Sequence, residues 1–265
     1  MGFPLKGGRV LVTGASSGIG AGLAEAFARE GATVGICARR ADRLAEVADR
    51  CRAHGVDTHV WVTDLSDLQA VDKLAADALA AMGGVDVLVN NAGIPKRRHV
   101  TVIDADVVEA VTNINYLSPV RLTLALLPQM LERGAGRVIN VASVAATLSS
   151  PGEAAYSASK AALAVFSESM AVDLWGTGVR TLAVYPGIVD TELFSIPDND
   201  PLDVPVEPIT VDDAVADILG ALERDAIEVY TPAHFKDYAV GKANNVEEFL
   251  AGSAEFARQQ REAAH

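Results

Sequence analysis

Cysteine is nearly absent: Cys37 and Cys51 are the two in 265 residues. They fall in a strand-like and a helix-like segment, with neither metal-ligand spacing nor the paired framework of a disulfide-stapled domain. Both read as reduced thiols, so a cytoplasmic protein without a metal centre is expected. Positive charge is also scarce. The 22 Lys and Arg stand against 35 Asp and Glu, a formal charge of −13. A sequence pI of about 4.8 denies the chain the positive field that nucleic acid or an anionic membrane requires. No segment offers 18 uninterrupted apolar residues, and residues 1–8 hold no apolar stretch ahead of a cleavage site. Neither a membrane span nor export is therefore expected. Internal repeats and low-complexity tracts are missing too.

What remains is rich in core material. Half of the residues are hydrophobic and 22% charged, too apolar for a disordered chain. Short β-branched runs recur at Arg9 to Thr13, Ala32 to Cys37, Thr58 to Thr63, Val85 to Asn90, Arg137 to Val141, Arg180 to Tyr185 and Ile227 to Tyr230. Between them lie helical patterns such as Ile19, Leu23 and Phe27, which share one face at i, i+4 and i+8. This alternation predicts one α/β domain over residues 1–265: a doubly wound parallel sheet of about seven strands with helices on both faces. Ligands then belong at the carboxyl ends of the strands.

After Tyr185 five of the eleven prolines (Pro186, Pro197, Pro201, Pro205, Pro208) crowd into the chain. A segment this rich in proline is neither helix nor central strand, and residues 191–210 read as a substrate lid. A helix is expected over Val211 to Glu223, and the strand Ile227 to Tyr230 follows. Residues 231–265 form a C-terminal extension with one helical stretch near Val246 to Arg261.

The first strand leads into Thr13-Gly14-Ala15-Ser16-Ser17-Gly18-Ile19-Gly20, which opens the first helix. Glycines allow a tight turn and a close backbone approach to a pyrophosphate, and the helix N-terminus supplies free N–H groups. The spacing is G-x-x-x-G-x-G. With Asn90-Asn91-Ala92-Gly93, Ser143, Tyr156-x-x-x-Lys160 and Pro186-Gly187-Ile188-Val189-Asp190-Thr191, it resembles the short-chain dehydrogenase/reductase family from about residue 8 to 191. Each motif is modest alone, but their order and placement at strand ends make the set specific. The resemblance implies a Rossmann-like fold, a nicotinamide dinucleotide cofactor, a small-molecule substrate and a homodimer or homotetramer.

Tyr-x-x-x-Lys occurs twice, at Tyr156 with Lys160 and at Tyr238 with Lys242. The first pair follows a strand and has Ser143 upstream. The second contains Gly241, a poor residue for a helix interior, and reads as a decoy. In a helix Tyr156 and Lys160 share a face, where the ammonium is expected to lower the pKa of the phenol and make it a usable proton donor and acceptor. Ser143 can hydrogen-bond the substrate oxygen. The family implies these roles and adds that Lys160 holds the nicotinamide ribose. The fourth position in the family is an asparagine, for which the chain offers Asn113 and Asn115. Counting back thirteen residues from Pro128, as the family pattern does, selects Asn115. Pro119, having no N–H, frees the carbonyl of residue 115 to accept from water, and the family's asparagine anchors a water there in a proton relay. The alternative is a proline kink with Asn115 merely solvated.

The expected cofactor contacts are Gly14, Ser16, Ser17, Gly18, Ile19 and Gly20 in the first turn. Asn91, Ala92 and Gly93 follow the fourth strand, and Pro186, Gly187, Ile188 and Thr191 follow the sixth. Tyr156 and Lys160 are shared with catalysis. At the end of the second strand Cys37-Ala38-Arg39-Arg40 has no acid to bind a ribose 2′-OH, and the guanidinium of Arg39 suits a 2′-phosphate, so NADP(H) is expected over NAD(H). Arg40 and Arg43 read either as part of that site or as solvated charges. Asp64 and Leu65 resemble the adenine-contacting pair, with helix capping the alternative for Asp64. The run Lys96-Arg97-Arg98-His99 reads more readily as a solvated loop than as a phosphate or substrate contact.

Ten acids and no lysine or arginine lie between Arg180 and Arg224. An acidic lid with interleaved apolar residues discourages polyanionic partners. The expected reaction is hydride transfer between NADP(H) and an uncharged, mostly apolar secondary alcohol or ketone. The rivals are a ketoacyl reductase of fatty-acid type and a non-catalytic NADP(H)-binding redox sensor.

Overall fold

Apolar runs covered on both faces pair as parallel strands. The computed structural model of the chain describes residues 5–195, 199–200 and 206–263. Its strands are β1 (Arg9–Thr13), β2 (Thr33–Ala38), β3 (Thr58–Val62), β4 (Val87–Asn90), β5 (Gly136–Val141), β6 (Val179–Pro186) and β7 (Glu228–Thr231). They form one sheet in the order β3-β2-β1-β4-β5-β6-β7, and every pairing is parallel. Strand order reverses between β1 and β4, where Val10, Leu11 and Val12 lie opposite Val87, Leu88 and Val89. Such a switch point leaves a crevice at the strand ends.

Alternation along β1 decides which helices cover which face. Val10 and Val12 pack with Leu23 and Phe27 of α1 (Gly18–Arg29), Leu44 and Val47 of α2 (Ala41–Arg52) and Ile218 of α8 (Val211–Glu223). Leu11 points the other way, into a cluster with Leu74 of α3 (Leu68–Met82), Leu122 and Leu126 of α5 (Ser118–Arg133) and Met170 of α7 (Ala154–Asp173). Among the described residues the remaining α-helices are α4 (Ala105–Thr112), the one-turn α6 (Ala145–Leu148), α9 (Phe235–Asn244) and α10 (Val246–Ala263). Among the described residues no helix is long and apolar enough to cross a membrane.

The differences from the sequence reading have local causes. β4 begins at Val87 and not at Val85, because Gln129 of α5 donates to the Val85 carbonyl and accepts from its N–H. Helix α9 is absent from the sequence reading, since Gly241 argued against it. The structure forms it regardless: Phe235 packs against Gly187, and Lys242 Nζ donates to Thr147 O and Ser149 Oγ, both at 2.7 Å. Tertiary contacts outweigh the roughly 1 kcal/mol propensity cost of one glycine. Lys242 is thereby engaged with the end of α6, and Tyr238 is exposed. Within the expected lid the chain makes a 3₁₀ turn at Glu192–Ser195, and Ile209 near its end bridges to Val189 just ahead of it. Thr210 and Asp213 then form a reciprocal capping box that starts α8. Residues 196–198 and 201–205 of the lid, with Pro197, Pro201 and Pro205, lie outside the described residues.

Candidate active site

The glycine-rich turn is seated on the end of β4. Gly14 has φ +65°, and a Cβ there would stand 2.7 Å from Ala92 Cα, so a side chain is excluded by conformation and by space. Thr13 Oγ1 accepts from the N–H groups of Asn91 and Ala92 at 3.0 and 3.1 Å. Asn91 Nδ2 donates back to the carbonyls of Thr13 and Gly14. Its amide braces the turn, therefore, while the residue still contributes to the cavity wall. Gly20 departs from expectation. It lies behind the turn and not on the cavity, because a Cβ there would collide with Asn91 Nδ2 and the Gly14 carbonyl. Helix α1 has Ser17 as its N-cap residue, whose side chain makes no capping bond; an uncapped N-terminus is the arrangement that receives a phosphate. Thr191 packs against the turn, 3.0 Å from where a Gly18 Cβ would be.

A cavity of about 670 Å³ opens along these strand ends. At one end are Arg39, Arg40, Asp64 and Leu65, at the other Ser143, Tyr156 and Lys160, with Ser16 to Ile19, Ala92, Gly93 and Pro186 to Ile188 between. Arg40 proves more organised than a solvated charge. Its guanidinium donates to Ser16 Oγ at 3.1 and 3.2 Å and to Ser17 Oγ at 2.6 Å. Arg39 is exposed and faces Asp64. The carboxyl of Asp64 is held below its ordinary range first by the Ser66 N–H, then by the Ser66 hydroxyl and last by Arg39. Asp64 does not cap α3; Asp67 does, accepting from Gln69 N–H at 2.8 Å. Behind this end Cys37 is buried and its thiol pushed up to about 12 by desolvation, which makes it unreactive.

The opposite end carries the candidate chemistry. Tyr156 and Lys160, one turn apart on α7, are both buried. Lys160 Nζ donates to Val141 O at the end of β5 at 2.7 Å and lies 5.9 Å from the Tyr156 ring centroid. Burial pushes the ammonium down to about 8. The expected lowering of the phenol pKa by Lys160 is reversed in sign. Burial pushes it up, Glu153 adds to the rise, and the Ser143 hydrogen bond and Arg97 oppose it. A low-dielectric site penalises phenolate more than its neighbours stabilise it. Asn115 is fully buried in a π-helical turn, Asn113–Leu117, just before Pro119. Its side chain accepts from Ile94 N–H at 2.8 Å and donates to Ile94 O and Ser159 Oγ at 3.0 Å. It thus ties the loop after β4 to α7 and does not line the cavity. Gly93 sits between: a Cβ there would stand 3.1 Å from Asn115 Oδ1 and 3.2 Å from Lys160 Nζ.

Several residues escape a reading by motif. Arg97 is not solvated; it is buried, lines the cavity and donates from Nε to Asp200 O at 2.7 Å. Arg98 pairs with the Asp200 carboxylate at 2.7 Å. Arg98 and the Asp200 carboxylate neutralise each other there, and the buried Arg97 has the Asp200 carbonyl and the Glu153 carboxyl beside it. Glu153, one turn before Tyr156, is also buried on the cavity, its carboxyl raised by desolvation against the pull of Arg97. The C-terminal extension supplies Phe235 and Phe249 to the wall. Only the basic run and the acid at the start of α7 left a trace in sequence; the two phenylalanines left none.

The residues present fit a nicotinamide dinucleotide. A groove closed to side chains at Gly14 and Gly18 runs from paired arginines past an uncapped helix end to a tyrosine and a lysine. Comparison with known proteins agrees. The short chain dehydrogenase family matches residues 8–200. A short chain dehydrogenase of Pseudocercospora fijiensis is 43% identical over 191 residues, 71% of this chain and 62% of that protein, so the chain aligns with somewhat less than two thirds of that relative's length. Among solved structures, a short-chain dehydrogenase from Sphingobium yanoikuyae in complex with NADPH is 30% identical, with a TM-score of 0.79 over 91% of this chain and 95% of that one. One from Burkholderia phymatum in complex with NAD is 25% identical, with a TM-score of 0.84 over 92% and 96%. By its motifs, its sheet and these matches, the chain belongs to the short-chain dehydrogenase family.

Proposed function

We propose that the chain is an NADP(H)-dependent oxidoreductase for an uncharged, mostly apolar secondary alcohol or ketone. The observation that carries this reading is the convergence of Ser143, Tyr156 and Lys160 on the cavity that also holds the glycine-rich turn. When bound, the nicotinamide supplies or accepts the hydride. Tyr156 gives its hydroxyl proton to the substrate oxygen in reduction and takes it back in oxidation. Ser143 hydrogen-bonds that oxygen as charge develops on it. Lys160, anchored on Val141 O, presents its remaining protons toward the ribose, and Asn115 holds the loop after β4 in register with α7. NADP(H) is preferred because Arg40, Ser16 and Ser17 gather three donors at the end of β2 with no acid on that strand end.

The substrate class rests on the wall beyond Tyr156, where Ile94, Leu148, Leu193, Val206, Phe235 and Phe249 gather. NADPH absorbance followed against ketones of increasing alkyl length is expected to show kcat/KM rising by up to roughly ten-fold per methylene until the cavity is filled. Carrier-linked ketoacyl esters should turn over poorly. Efficient use of the esters with no activity on neutral ketones would overturn the assignment. The same reading includes a homodimer or homotetramer, for which the exposed Leu124 and Leu131 of α5 and Val165 and Val172 of α7 are suitable faces. Sedimentation is expected to give at least twice the chain mass, and a monomer at micromolar concentration would contradict it.

A further inference from the structure

Glu192 opens the 3₁₀ turn at the start of the lid, yet its carboxylate lies at the adenosine end of the cavity. Oε2 is 2.6 Å from Arg40 Nη1, and Oε1 is 3.3 Å from Arg43 Nη2. Arg40 is therefore held from two sides: the hydroxyls of Ser16 and Ser17 at the glycine-rich turn, and the carboxylate of a residue 152 positions away in sequence. Both partners of the ion pair are about half exposed, so water and solutes reach it. Arg40 in turn holds the Glu192 carboxyl below its ordinary range, which keeps it anionic near neutral pH.

A 2′-phosphate at the end of β2 would draw on the same guanidinium and the same two hydroxyls. A carboxylate and a phosphate dianion cannot share Arg40 Nη1 without bringing like charges together. We infer that Glu192 is a cofactor-specificity residue, an intramolecular carboxylate that occupies Arg40 and must give way to the 2′-phosphate of NADP(H). This rests on the proposed role of Arg40 and adds a residue that opposes it. Glu192 lowers the advantage of the phosphorylated cofactor, whereas NAD(H), whose ribose 2′-OH carries no charge, does not compete with the carboxylate for the guanidinium. The lid acid thus sets how far the enzyme discriminates, and Arg40 sets the direction.

Calorimetric binding of adenosine 2′,5′-bisphosphate and of AMP separates the two claims. In wild type the bisphosphate is expected to bind more tightly than AMP, and Arg40→Gln should remove that preference. Glu192→Gln should tighten the bisphosphate by about five-fold, the scale of an exposed ion pair, with AMP unchanged and the gain shrinking at high salt. If Glu192→Gln leaves the bisphosphate unchanged or weakens it while Arg40→Gln still removes the preference, the inference on Glu192 is wrong and the role of Arg40 stands. If Arg40→Gln has no effect, the role of Arg40 is wrong and the inference falls with it.

Discussion

Tyr156→Phe is expected to lower ketone turnover with NADPH by roughly a hundred- to ten-thousand-fold, the range for loss of a positioned proton donor, while cofactor binding stays close to wild type. Phenylalanine keeps the ring and its packing against α7, so the loss reports the hydroxyl alone. The electrostatics of the site add a pH signature. Burial and Glu153 hold the phenol pKa above its ordinary value, so the hydroxyl carries its proton throughout the neutral range. Ketone reduction should accordingly be flat across neutral pH, and alcohol oxidation, which requires the phenol to accept a proton, should rise with pH. Stopped assays in both directions on wild type and variant check this. Turnover by Tyr156→Phe within ten-fold of wild type would place the proton transfer on another group.

A second large effect concerns stability. Lys160 is buried and its ammonium is pushed down to about 8, whereas an unfolded lysine titrates near ~10.4. Below pH 8 both states carry the proton and the full cost of the buried charge is present. Between about pH 8 and 10.4 the unfolded state still binds the proton that the folded state has released, so stability rises with pH across that window. The span corresponds to roughly 3 kcal/mol, a large share of the ~5–15 kcal/mol that holds a domain together. Cys37 and Cys51 act in the opposite sense. Their thiols are pushed up to about 12 and about 11, so unfolding exposes easier-to-ionise groups above pH 9. Comparing wild type with Lys160→Met cancels the cysteine contribution. Urea denaturation at intervals from pH 7 to 10.5 should show wild type gaining on the variant by roughly 3 kcal/mol. A difference that stays flat with pH would mean the lysine keeps an ordinary affinity for its proton. The penalty at neutral pH fits a group retained for its place beside Tyr156 and not for stability.

Much of the candidate site was legible because it is built from short-range pattern. The turn Thr13 to Gly20 follows a strand and opens a helix within eight residues. Tyr156 and Lys160 need only one helical turn to share a face, and Ser143 and Gly93 follow β-branched runs that mark their strands. Pro119 forecast a break in backbone bonding, and a π-helical turn stands just before it. The sequence said less where a residue's meaning lay in a distant partner. The requirement for glycine at position 20 comes from the close approach of Asn91, 71 positions on. Gly241 argued against a helix that Phe235 and Lys242 hold in place. Arg97 looked solvated because its partners, the Asp200 carbonyl on the lid and the Glu153 carboxyl at the start of α7, lie far away in the chain.

From sequence alone came the parallel α/β architecture, the strand-end location of the site and the residue types at its two ends. These follow from periodicity and spacing, which a chain carries locally. Tertiary structure decided the electrostatics. Where the acids lie was visible in the sequence, but which of them are already paired was not: Glu192 on Arg40 and Asp200 on Arg98 reduce the charge the lid can offer a substrate. The sign of the Tyr156 shift, the depressed Lys160 and the apolar wall formed by Phe235 and Phe249 likewise depend on burial among residues far apart in the chain. Desolvation and ion pairing act through space over a few ångströms, and only the folded chain determines which groups come that close.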